Sequence, residues 1–134
     1  MFHDDTRDLV VNRILVIDDD NQTRRMLRLA LERAGYEVIE ARNGREGVQC
    51  YQATPTDLII TDVLMPGMEG IEAIVELQRQ TTDVKIIAIS GGGYMGTLTF
   101  LEIAEQAGAC RTFEKPFTLR ELLAAVHEVL EEGG

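Results

Sequence analysis

Ile14-Leu15-Val16-Ile17-Asp18-Asp19-Asp20 sets four consecutive apolar residues directly against three acids. A short aliphatic run rich in β-branched side chains, with no polar residue alternating through it, reads as a strand buried on both faces. The period then changes. From Asn21 to Ala34 the apolar positions Met26, Leu27, Ala30, Leu31 and Ala34 recur at three-to-four spacing, and Gly35 stops the pattern. Strand therefore passes into helix, and the acids stand at the junction, on the carboxyl end of the strand.

Working outward, the same unit recurs. Tyr36 to Ala41 alternates polar and apolar, turns at Asn43-Gly44 and leads into a weakly patterned helix from about Arg45 to Ala53. Leu58-Ile59-Ile60 opens a third unit, whose helix, after Pro66 and Gly67, carries Ile71, Ile74 and Leu77 on one face. Val84 to Ile89 precedes Gly91-Gly92-Gly93 and a helix ending near Ala107-Gly108. Thr112-Phe113-Glu114 runs into Lys115-Pro116 and then into the strongest helical stripe, Leu119, Leu122, Leu123, Val126, Val129 and Leu130. Thr118 is placed to cap that helix, with Glu121 three residues on.

Five strand-helix units in sequence predict an α/β fold, a doubly wound five-stranded parallel sheet with helices on both faces. Runs one, three and four are continuously apolar, whereas runs two and five carry Glu37, Glu40 and Glu114, as edge strands do. That favours the order 2-1-3-4-5. Run one ends in Asp18-Asp19-Asp20, run three in Asp62, run four in Ser90 and run five in Lys115. In a parallel sheet these ends share one edge, where open α/β sheets bind ligands. Carboxylates so close repel one another unless a cation joins them, and a hard divalent ion with oxygen ligands suits the set. Magnesium fits best, because it takes one or two carboxylates and keeps sites for water and phosphate oxygens. A merely solvated acidic strand end would explain Asp18-Asp19-Asp20 alone, but not four coincident ends.

The 134 residues fit one domain, and 45% apolar with 27% charged residues is ordinary globular usage. Residues 1–11 are expected to be a polar N-terminal extension and 12–132 the folded domain. A formal charge of −10 makes the domain a poor partner for nucleic acid, and no apolar run approaches a membrane span. Cys50 and Cys110 have no metal or redox spacing and read as small packing residues; with no signal peptide, a cytoplasmic location is expected. Only Lys85 and Lys115 can supply an ammonium, the remaining bases being arginines.

The segments Ile14 to Asp20, Asp57-Leu58-Ile59-Ile60-Thr61-Asp62-Val63-Leu64-Met65-Pro66-Gly67-Met68-Glu69-Gly70, Ile89-Ser90 and Phe113-Glu114-Lys115-Pro116-Phe117 together resemble the receiver domain of two-component response regulators. The resemblance covers about residues 12 to 132, with all motifs in family order. It implies a flavodoxin-like fold with Asp62 as phosphoacceptor. It also implies a Mg2+ site held directly by Asp19, Asp62 and the backbone carbonyl of Leu64, with Asp18 acting through water. Ser90 would be the switch hydroxyl, Lys115 the ammonium that contacts the phosphoryl group, and Lys115-Pro116 a cis peptide. The implied donor is a sensor histidine kinase or a histidine phosphotransfer protein. The implied output is a downstream protein docking on the fourth helix, fifth strand and fifth helix. Phosphotransfer and dephosphorylation would be self-catalysed, with no turnover enzyme expected; Leu64, two places after Asp62, is placed to influence water access.

Two positions depart from the family pattern. Where a Tyr or Phe usually completes the switch stands Thr112, and Phe113 is expected on the opposite face. The glycine-rich loop after Ser90 is longer than common. It is expected to be mobile, with Tyr94 a candidate for the missing aromatic, against the plainer reading of a floppy surface loop. Gly91, Gly93 and Gly96 also match a dinucleotide-binding fingerprint, but too little α/β chain follows. Gln22 and Thr23 break a calcium loop. A small Mg-dependent aspartyl-nucleophile phosphatase using Asp18-x-Asp20 and a receiver-like scaffold that is not phosphorylated stand as alternatives. His127 and His3 are read as surface and tail residues, unsuited to donating phosphoryl groups.

Overall fold

A computed structural model of the protein describes residues 11–65, 69–81 and 83–132. Apart from Val11, the expected N-terminal extension with His3 lies outside them, as do Pro66 and Gly67. The chain runs β1 Arg13–Ile17, α1 Asn21–Arg33, β2 Glu37–Ala41, α2 Gly44–Ala53, β3 Leu58–Asp62, α3 Glu69–Gln80 and β4 Ile86–Ser90. It continues through a small hairpin, β5 Tyr94–Met95 and β6 Leu98–Thr99, to α4 Phe100–Ala107, β7 Arg111–Glu114 and α5 Leu119–Glu132.

The main sheet is wholly parallel in the order β2-β1-β3-β4-β7. This is the expected 2-1-3-4-5 order, with β7 as the fifth sheet strand because the hairpin intervenes. The edges are the two strands that carry glutamates, while β3 and β4 are buried at every position. Strand alternation divides the core in two. Leu15, Ile17, Ile59, Ile86 and Ala88 face Tyr51, Ile71, Ile74, Leu77 and Ala104 from α2, α3 and α4. Ile14, Val16, Leu58, Ile60, Ile87 and Ile89 face Leu27, Leu31, Leu122, Val126 and Val129 from α1 and α5. Burying each large aliphatic side chain contributes about 1.5–3 kcal/mol, so both faces drive the helices onto the sheet.

The helices start where the sequence supplies caps. Asp20 accepts from the Thr23 backbone N–H at the head of α1, and Asn43 does the same for Glu46 in α2. Thr118 and Glu121 form the expected reciprocal pair before α5, each bond 3.0 Å long. The hairpin is a departure from the sequence reading, which placed only a loop there. Gly96, with φ +65°, supplies the positive dihedral that a two-residue hairpin loop favours. Cys50 packs against the core as expected, but Cys110 is exposed.

Candidate functional site: an acid pocket at the carboxyl edge of the sheet

Asp18 is the first residue past β1, and its N–H still donates to Ala41 O of β2 at 3.1 Å. The sheet ladder thus fixes its backbone and leaves the side chain at the rim, 2% exposed. Its Oδ1 accepts from the Asp20 N–H at 2.9 Å. Burial above all, followed by the negative charges of Asp62 and Asp19, pushes the Asp18 carboxyl up to about 6 from 3.8, against the pull of the Asp20 N–H and Lys115.

Asp62 closes β3 and is also buried. One carboxylate oxygen accepts from the Leu64 N–H at 2.8 Å, and the other lies 3.2 Å from Lys115 Nζ. Asp18, exposed Asp19 and Asp62 each place a carboxylate oxygen within 4.8 Å of the others. Such a donor set, all hard oxygen and drawn together at one rim, is chemically suited to a divalent cation. Leu64, whose carbonyl belongs to the same turn, is exposed.

The acidic triplet divides. Asp20 leaves the pocket to cap α1, accepting from the Thr23 hydroxyl and N–H, and those bonds, the hydroxyl first, hold its carboxyl below the usual range. The two lysines divide as well. Lys85, at the amino end of β4, donates to Val129 O at 2.9 Å, away from the acids. Lys115 follows β7, and its N–H donates to Ser90 O at 2.8 Å, which ties the lysine loop to the end of β4. The Lys115-Pro116 peptide is cis.

Ser90 is fully buried beside this rim, since Asp62 pairs with Ile89 and Ser90 with Glu114. Its hydroxyl is bound within its own loop, accepting from the Gly92 N–H at 3.1 Å and reaching Gly92 O at 3.3 Å. Thr112 pairs with Ala88 and so shares its face, whereas Phe113 sits beside Ile89 on the other, packed at 5.6 Å against Phe117. Tyr94, at 70% exposure on the hairpin, is not packed as a substitute aromatic. His127 is exposed, as read.

Arg24 is the feature that the sequence reading passes over. Its side chain is buried, donating to Asp18 O at 2.7 Å, Asn21 Oδ1 at 2.6 Å and Glu40 Oε1 at 2.8 Å. The available signal was an arginine in phase with Leu27 and Leu31 on the buried face of α1.

The model of the response regulator receiver domain matches residues 14–127, and the chain belongs to that family. It is a receiver domain of two-component response regulators, the phosphoacceptor signalling class of CheY. Chemotaxis protein CheY of Thermotoga maritima is 38% identical over 118 residues, which cover 87% of this chain and 96% of CheY. A CheY-like receiver domain from Methanospirillum hungatei matches with a TM-score of 0.84 and 29% identity, over 92% of this chain and 96% of that one. The response regulator TrrA of Thermotoga maritima, solved in complex with Mg2+-BeF, matches with a TM-score of 0.77 and 32% identity, over 89% of this chain and 99% of that one. Among the described residues no helix is long and apolar enough to cross a membrane.

Proposed function

We propose that Asp62 is the phosphoacceptor of a signalling switch, and that Asp19, Asp62 and the Leu64 carbonyl, with Asp18 acting through water, hold Mg2+ beside it. The observation that carries this is the Lys115 ammonium, 3.2 Å from the Asp62 carboxylate within a cluster of three acids. A carboxylate oxygen of Asp62 attacks phosphorus, the bond from phosphorus to the donor's imidazole nitrogen breaks, and the histidine leaves with the electron pair. Bound Mg2+ supplies charge neutralisation for the transferring oxygens. Lys115 orients and neutralises the same group from the other side, and the Leu64 N–H holds the nonattacking oxygen of Asp62 in place. Ser90, released from Gly92, donates its hydroxyl to a phosphoryl oxygen; that displacement carries the signal to the hairpin and α4.

A sensor histidine kinase or phosphotransfer protein supplies the phosphoryl group in the cytoplasm, and a downstream protein docks on α4, β7 and α5. Thr112 stands where the switch aromatic would, so the hydroxyl acts without that partner. Incubation with Mg2+ and acetyl phosphate should modify the protein stoichiometrically, and Asp62→Asn should abolish uptake while leaving the far-ultraviolet spectrum unchanged. Normal labelling of that variant would show the nucleophile to be another residue. Continuous turnover of many phosphoesters would favour the phosphatase, and no uptake by the wild type the scaffold.

A further inference from the structure

Among the described residues, the charged side chains that count as buried are Asp18, Asp62 and Arg24. The carboxylates belong to the pocket; the guanidinium hydrogen-bonds to neither carboxylate, and meets Asp18 only at its backbone carbonyl. Burying it is costly, and a buried ion pair is weak evidence of a stabilising role, because apolar packing commonly serves as well. Its contacts point to another role. Three of its nitrogens engage acceptors on three elements: the last peptide before Asp19, the first residue of α1, and Glu40 of β2. Glu40 is itself held from the other side by Arg28 Nη1 at 2.6 Å, and Arg28 by Glu32 at 3.0 Å. The planar fork is thereby locked, and the carbonyl of the Asp18–Asp19 peptide with it.

We propose that Arg24 is a positioning residue of the acid pocket, fixing the peptide from which the Asp19 carboxylate projects and so setting the affinity for the divalent cation. This rests on the assignment of Asp18, Asp19 and Asp62 as the cation site. Groups that orient metal ligands typically change affinity about 10–100-fold when removed. The sign of the effect separates positioning from charge. A cation this near the acids repels a second one, so its removal would tighten binding if electrostatics alone mattered; loss of orientation weakens it.

Calorimetric titration with Mg2+ alone, on full-length wild type, Arg24→Met, Arg24→Lys and Glu40→Gln, reads this directly. Arg24→Met should weaken Mg2+ binding by about tenfold. Arg24→Lys should recover little of it, because a lysine keeps the charge but not the fork, and Glu40→Gln should fall between. In acetyl phosphate labelling, the Mg2+ concentration giving half the maximal rate should rise by the same factor, while the rate at saturating Mg2+ stays within about twofold of wild type. A purely structural arginine would lower the melting temperature and leave the Mg2+ affinity of the folded protein unmoved. Equal or tighter binding by Arg24→Met overturns the proposal and leaves the phosphoacceptor reading standing. If that variant does not fold, wild-type affinity in both Arg24→Lys and Glu40→Gln overturns it. A wild type that binds no Mg2+ sinks the cation site itself.

Discussion

Asp18 concentrates the electrostatics of the pocket in one titration. Its neighbours are two further carboxylates and one ammonium, and its own burial favours the neutral acid, so its pKa of about 6 stands above the ordinary 3.8. A carboxyl raised in this way stabilises the fold fully below its unfolded value and loses that contribution as pH climbs through the folded value. Without divalent ions, the wild type should therefore lose up to about 3 kcal/mol from this group between pH about 4 and about 7. Asp18→Asn should lack that part of the slope. Urea denaturation of both proteins across the window measures it, and superimposable pH profiles would show that Asp18 does not titrate abnormally. Burial foremost, and the neighbouring carboxylates after it, thus bias Asp18 toward its neutral form when no cation is bound.

At the scale of elements, α3 is seated directly on the site. A Cβ at Gly70 would lie 2.2 Å from Asp62 O and 2.5 Å from Val63 Cα, both backbone atoms that have no room to yield. Glycine here is a matter of close approach, since the helix start touches the strand end that presents Asp62. Gly70→Ala should destabilise the protein by about 1–3 kcal/mol, as overpacking does, and slow acetyl phosphate uptake by displacing Asp62. Gly91→Ala, whose Cβ meets nothing within 4 Å, should stay within about 0.5 kcal/mol of wild type. Equal stability of the two variants in urea melts would contradict the packing. Elements also mark where the sequence stops being informative. The strand order was favoured by the sequence because Glu37, Glu40 and Glu114 suit edge strands. The hairpin was not legible, because strands as short as Tyr94–Met95 and Leu98–Thr99 are too brief to display alternation. Arg24 was hidden for a different reason: its burial makes sense only once Glu40, from the neighbouring strand, is known to face it.

For the whole molecule, the parallel sheet does the assembling. Asp18, Asp62, Ser90 and Lys115 come from four strands, and only a common strand direction brings their carboxyl ends to one rim. Most of the site was readable for that reason, since the polarity switch recurs at four of the five strand ends. The division of the acidic triplet was not, because a cap and a ligand are the same side chain until the helix start is fixed. The same layout connects chemistry to surface. Ser90, tied to Gly92, leads straight into the hairpin and α4, so a hydroxyl drawn toward a phosphoryl group must release that loop. Converting a 1:99 population to 99:1 takes about 5.5 kcal/mol, within reach of a few charge-assisted hydrogen bonds in a shielded pocket.

Convergence of residues distant in sequence on one cation is measured most directly with Mn2+ in place of Mg2+. In amide spectra of the isotopically labelled protein, substoichiometric Mn2+ should broaden the resonances around Asp18–Asp20, Asp62–Leu64 and Lys115 together, and excess Mg2+ should restore them. Asp19→Asn should weaken the effect at all three segments at once. Broadening confined to other acids, such as Glu72 and Glu76 on α3, with these segments untouched, would contradict a cation pocket at the carboxyl edge of the sheet.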